Sequence, residues 1–119
     1  MQTDDLCKLV DKIKHLQCEM QTVELKAANK GCPTRLYDTL SSFANQDEGG
    51  IIVFGIDESK GFAVVGVYDA QDLQKKVTEQ CTQMSPCVRA LFTVCEIDDK
   101  VVVSAEIPGI DVSERPCFY

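Results

Sequence analysis

Phe43-Ala44-Asn45-Gln46-Asp47-Glu48-Gly49-Gly50-Ile51-Ile52-Val53-Phe54-Gly55-Ile56-Asp57 is the stretch on which the fold of this chain turns. A helical apolar pattern stops at Asn45, two glycines follow, and an apolar run then ends on an acid. Gly49 and Gly50 supply backbone freedom that a side chain would forbid, and Gly55 admits another backbone or a ligand close to the strand. Residues 51–56 are apolar on both faces, as expected of a central strand covered on each side. Asp57 leaves that strand at a loop.

Upstream, Leu6, Leu9, Val10, Ile13 and Leu16 recur at helical spacing, which predicts an amphipathic helix over residues 4–16 with Thr3, Asp4 or Asp5 as N-cap. Lys8, Lys12 and Lys14 lie elsewhere on it, as a solvated face or a basic strip. Val23-Glu24-Leu25-Lys26 alternates like a strand, with Val23 and Leu25 inward and Glu24 and Lys26 together on the other face. Asn29-Lys30-Gly31-Cys32-Pro33 reads as a loop, after which Thr34 is the expected cap of a second helix carrying Leu36, Tyr37, Leu40, Phe43 and Ala44 on one face.

Downstream, residues 57–61 read as a hairpin loop into a strand over residues 62–67. Asp69 is the expected cap of a third helix, in which Leu73, Val77, Cys81 and Met84 recur until Ser85-Pro86 ends it. A second hairpin pairs residues 91–97 with residues 101–107 across Asp98-Asp99. The order helix, strand, helix, strand, strand, helix, strand, strand predicts an α+β fold: a single mixed β-sheet with about three packed helices, in one domain over residues 1–119.

The formal net charge of −7 opposes simple nucleic-acid binding, because nonspecific affinity comes mostly from Lys and Arg neutralising phosphates. Such binding needs a local basic face, a divalent metal or a partner. The longest clean apolar runs, residues 51–54 and 101–103, are too short to span a bilayer, and the start Met1-Gln2-Thr3-Asp4-Asp5 lacks the pattern of a secretory signal. A cytoplasmic location without membrane contact is expected. The seven cysteines are scattered without a C-x-x-C pair and share the chain with one histidine, His15, so they read as reduced, largely buried thiols rather than a zinc site. His15, on an exposed helical pattern, offers no placed base for a serine or cysteine nucleophile.

Two glycines beside an apolar strand invite comparison with a phosphate loop, but no Lys follows Gly55 or Gly66, there is no G-x-G-x-x-G, and the pair precedes a strand rather than a helix N-terminus. ATP is not an expected ligand. Glu19, Glu24 and Asp57 lie at strand or loop edges, and gathered at one point they would hold Mg²⁺ or Mn²⁺, which activates water and neutralises a phosphodiester. With nineteen acids in the chain, solvated carboxylates at strand ends are the simpler reading of such a trio. Glu19 and Glu24 are five apart, so a turn around Met20-Gln21-Thr22 is required to bring them together. Lys26 shares a face with Glu24, as its ion-pair partner or as a phosphate contact.

Glu19-x-x-x-x-Glu24-Leu25-Lys26, the helix end Ser42-Phe43-Ala44-Asn45, the run from Gly49 to Asp57, the later Val65-Gly66-Val67 and the closing Arg115-Pro116-Cys117-Phe118-Tyr119 occur in that order. Together they resemble the Schlafen and bacterial AlbA-type domain over roughly residues 17–119. The resemblance implies one of two functions. Bacterial members are described as DNA-binding domains of transcriptional regulators, followed by further sequence, which fits an N-terminal fragment of a longer regulator. Schlafen members include endoribonucleases with a metal-binding trio of two Glu and one Asp, matched by motif here at Glu19, Glu24 and Asp57.

This chain departs from the nucleases in a shorter segment between Glu24 and Asp57, in a single domain where they pair two, and in the acidic Gln46-Asp47-Glu48 beside the glycines. The leading expectation is therefore a non-enzymatic nucleic-acid-binding module that associates as a homodimer, contacting nucleic acid through Lys26, Lys30, Arg35 and Asn45. A metal-dependent endoribonuclease using Glu19, Glu24 and Asp57 is the alternative, and a protein-interaction or assembly module the second.

Overall fold

The computed structural model describes residues 1–16 and 22–119. Its elements run α1 (Thr3–Leu16), β1 (Val23–Lys26), α2 (Tyr37–Ala44), β2 (Gly50–Phe54), β3 (Ile56–Asp57), β4 (Ala63–Val64), α3 (Ala70–Thr82), β5 (Leu91–Ile97) and β6 (Lys100–Ile107), with short 3-10 turns at Glu58–Lys60 and Val112–Glu114. Four strands form a mixed sheet in the order β1-β2-β6-β5, and β3 and β4 form a separate two-stranded ribbon. The α+β order read from the sequence is the order observed.

β2 sits inside the sheet because its side chains are apolar on both sides. It runs parallel to β1, with Glu24 opposite Ile52, and antiparallel to β6, with Val53 opposite Ser104. Alternation sends Ile52 and Phe54 into a core with Leu36, Leu40 and Phe43 of the α2 segment and Leu73, Val77 and Cys81 of α3. Val53 points the other way, joining Val23, Leu25, Cys95 and Val102 beneath Leu6, Val10 and Ile13 of α1. The sheet is thus covered by α1 on one face and by α2 and α3 on the other.

Helix ends follow local chemistry with one departure. Asp69 caps α3, accepting from the amides of Gln71 and Asp72 at 3.0 and 3.1 Å. α2 starts later than expected: its N-cap is Leu36, with no side-chain cap, and Thr34 lies outside the helix. The buried Gln80 takes over this end, accepting from the Leu36 amide at 2.9 Å. Asp98 and Asp99 both hold positive φ, 52° and 65°, which turns β5 tightly back into β6.

The expected strand over residues 51–56 is broken at Gly55, where φ is +110°. Unbroken alternation would place Ile56 on the side of Phe54, yet Ile56 is buried with the α1 core. Gly55 therefore reverses the facing of the chain. Its amide donates to Lys26 O at 2.8 Å, and its carbonyl accepts from Val65 and Gly66 at 2.8 and 3.1 Å, fixing the new direction at both ends.

Candidate functional site

Glu24 and Lys26 stand opposite Val23 and Leu25 in the pleat, so they face away from α1 at the edge strand β1. Their charged ends lie 3.8 Å apart and both side chains are roughly one-third exposed, a weak, solvated ion pair. Gly55 sends Ile56 into the α1 core, and the next residue, Asp57, is half-buried on the opposite face of β3. Strands β1 and β3 pack together.

Asp57 also has a structural task. Its Oδ1 accepts from the Ser59 amide at 3.0 Å and the Ser59 hydroxyl at 2.6 Å, capping the 3-10 turn Glu58–Lys60. The Ser59 hydroxyl bond, aided by the amide and by Lys60, holds the carboxyl below the usual carboxylate range. Asp57 is therefore ionised and oriented, as a metal ligand or a cap must be. Glu19 and the turn expected around Met20-Gln21 lie outside the described residues, and among the described residues no three His, Cys, Asp or Glu gather closely enough to hold a metal.

The basic candidates lie on the segment joining β1 to α2. Lys30 and Arg35 are exposed. Among the described residues the ion pairs are Met1 N-terminus with Glu106, Lys26 with Glu24, Lys76 with Asp72 and Arg115 with Asp47, so neither Lys30 nor Arg35 is neutralised by an acid. The backbone carrying them is pinned from α3: Gln80 Nε2 donates to Pro33 O at 2.7 Å while its Oε1 takes the Leu36 amide. The Tyr68 amide adds a bond to Ala28 O at 3.0 Å. Two unneutralised cations thus sit on an anchored loop.

Asn45 points elsewhere. Its Oδ1 accepts from the Cys117 amide at 2.7 Å and its Nδ2 donates to Cys117 O at 3.1 Å, a carbonyl that the Ser41 hydroxyl also reaches at 2.8 Å. The amide is committed to the C-terminal segment. Arg115 behaves similarly, pairing with Asp47 at 2.8 Å and donating to Ile110 O at 3.1 Å. The Arg-Pro segment and the acidic Asp47 are therefore parts of one clasp.

Gln80 was not among the residues singled out by sequence, although a signal existed. It is the polar residue on the stripe otherwise formed by Leu73, Val77, Cys81 and Met84, and a buried amide on such a stripe must have hydrogen-bond partners. His15 is exposed, and Cys81, Cys95 and Cys117 are free, buried thiols, with burial raising the pKa of each. No helix among the described residues is long and apolar enough to cross a membrane.

Among the solved structures that share the fold are two of low sequence identity. One is the N-terminal domain of a RecG-related candidate ATP-dependent DNA helicase from Nitrosomonas europaea, with a TM-score of 0.73 and 24% identity over 94% of this chain and 77% of that one. The other is the DIP2311 protein of Corynebacterium diphtheriae, with a TM-score of 0.52 and 14% identity over 96% of this chain and 23% of that one. A search of curated proteins gives no significant match. The model of the Schlafen AlbA_2 family matches residues 19–115, and the chain belongs to that family.

Proposed function

We propose that this chain is a nucleic-acid-binding domain, working as the N-terminal module of a longer, self-associating cytoplasmic regulator of transcription. The observation that carries the reading is the anchored loop between β1 and α2, on which Lys30 and Arg35 stand exposed and without an acidic partner among the described residues, in the segment that follows Lys26 at the end of β1. In a chain of net charge −7, cations left unneutralised are the groups available to phosphate. Membership in the AlbA_2 family and a fold shared with a domain of a helicase-related protein support it. Asn45 serves this surface indirectly, by holding the tail against α2.

Fluorescence anisotropy with labelled DNA and RNA across a salt series tests the reading. Affinity should fall with salt, and Lys30→Ala with Arg35→Ala should flatten the log–log slope by roughly one per lost phosphate contact. Equal binding by wild type and double variant would reject these residues, and absence of binding at low salt would favour an assembly role.

A metal-dependent nuclease is the second reading, supported by the packing of β3, which carries Asp57, against β1, which carries Glu24 and Lys26. Glu19, Glu24 and Asp57 would take Mg²⁺ or Mn²⁺, and Lys26 would steer a phosphate. Incubation with structured RNA and Mn²⁺, with and without chelator, tests it. If no metal-dependent product appears that Asp57→Asn abolishes, the chain is not a nuclease.

A further inference from the structure

Two thiols meet where α1 crosses the edge strand β5. The start of α1 is registered on that strand: the Thr3 hydroxyl donates to Val94 O at 3.1 Å, and the Thr93 hydroxyl donates to Met1 O at 3.2 Å. Residues four apart on a helix lie one above the other, so Cys7 stands one turn beyond Thr3 while Cys95 stands one residue beyond Val94. Cys95 is buried in the core beneath α1, and Cys7 packs against the same core from its rim. The two side chains are hydrogen-bonded, and burial, then this bond, raise the pKa of the Cys95 thiol. Cys95 therefore keeps its proton, whereas Cys7 is only half-buried.

The other described thiols are arranged differently. Cys32, Cys87 and Cys117 each direct the thiol at a backbone carbonyl, Pro33 O at 3.4 Å, Thr82 O at 3.3 Å and Pro86 O at 3.6 Å. Cys81 is buried in the core under α2 and α3. Among the described residues, Cys7 and Cys95 are the pair in which thiol meets thiol, one within reach of a small solute and the other sheltered from it. Oxidation of a dithiol needs that division: the accessible sulfur reacts first, and its neighbour traps the product before it oxidises further.

We propose that Cys7 and Cys95 are a peroxide-sensitive pair whose oxidation to a disulfide staples α1 to β5. The Cys7 thiolate attacks one peroxide oxygen, the O–O bond breaks, and the other oxygen leaves with a proton as water or an alcohol, so that Cys7 becomes a sulfenic acid. The Cys95 sulfur then attacks the Cys7 sulfur, the S–S bond forms, and the S–O bond breaks as hydroxide departs with the Cys95 proton as water. Two thiols lose two electrons and the peroxide gains them. The link joins residues 7 and 95 of a 119-residue chain, a long loop whose closure restrains the unfolded state. It also fixes the helix that covers one face of the sheet, and it does not depend on the nucleic-acid reading.

The test treats the reduced 119-residue chain with a slight excess of hydrogen peroxide, alkylates the remaining thiols with iodoacetamide and maps the peptides by mass spectrometry. Two of the seven thiols should disappear, a peptide pair joined through Cys7 and Cys95 should appear, the melting temperature should rise by several degrees, and dithiothreitol should undo all three. In Cys95→Ala the sulfenic-acid reagent dimedone should label Cys7, and Cys7→Ser should form no link. If either variant fails to fold, the wild-type map decides alone. A link between other cysteines, Cys7 carried to a sulfinic acid without a link, or seven intact thiols after treatment would overturn the pair.

Discussion

Asn45 and Cys117 pair as two strands of a sheet would, the side-chain amide of one matched to the backbone amide and carbonyl of the other at 2.7 and 3.1 Å. An asparagine at the C-cap of α2 thus stands in for a strand edge and fastens a segment distant in sequence. It also determines where Tyr119 ends up.

Replacing Asn45 with Ala removes both bonds and leaves the backbone of Cys117, a buried residue, short of partners. Each half-buried bond is worth about 1 kcal/mol, so the variant should lose about 2 kcal/mol in urea denaturation. The stack of the Tyr37 and Tyr119 rings should loosen with it, seen as a change in near-ultraviolet dichroism. A variant with wild-type stability would show that the Ser41 hydroxyl alone suffices.

Gln80 should resist replacement by a residue of similar size. Gln80→Met fills the space but deprives Leu36 N and Pro33 O of their partner, and a loss of about 2 kcal/mol is expected. Amide exchange at Leu36 should rise before that of the sheet. If exchange there is unchanged, the loop is held by something other than Gln80.

Gly49 lies where helix end and strand end almost touch. A Cβ there would sit 2.0 Å from Ile107 O, on a backbone with φ of +66°. Gly49→Ala should cost roughly 3 kcal/mol or prevent folding, since neither backbone can retreat. At Gly61, with similar φ but nothing within 4 Å, the same change should cost only about 1 kcal/mol. Equal losses in thermal melts would show that conformation, not contact, sets both.

Asp57 gives a pH signature with a definite sign. Its bonds to Ser59 lower the folded-state pKa below the ordinary 3.8, so the stabilisation is complete above that value and is lost as pH falls through the folded pKa. Asp57→Asn accepts the same bonds without a charge to titrate. Its melting temperature should therefore fall less steeply in acid than that of the wild type, and identical acid profiles would remove Asp57 from the account.

Most of the fold was legible because periodicity was clean. Leu6, Val10 and Ile13 repeat every three or four residues, β5 and β6 flank an Asp-Asp turn, and Asp69 caps α3 as its chemistry demands. Thr34 misled because a hydroxyl before a helix is only one way to satisfy its start, and here a glutamine from another helix fixes the entering backbone. The site was harder to read. That Lys30 and Arg35 have no acidic partner among the described residues, or that Asn45 turns toward Cys117, depends on contacts between residues far apart in the chain, which local spacing does not encode.

Gly55 has a consequence for how this domain can vary. The face on which Asp57 leaves β3 is set by a parity change two residues earlier, at a position with no side chain, and Ser59 then orients its carboxylate. Inserting or deleting one residue between Phe54 and Asp57 would exchange the destinations of Ile56 and Asp57, driving a carboxylate into the α1 core and an isoleucine into water. Core and acid are thus coupled through a count. Substitution can tune the charges around β1, but the spacing from Gly55 to Asp57 cannot change by one without unmaking the packing beneath α1.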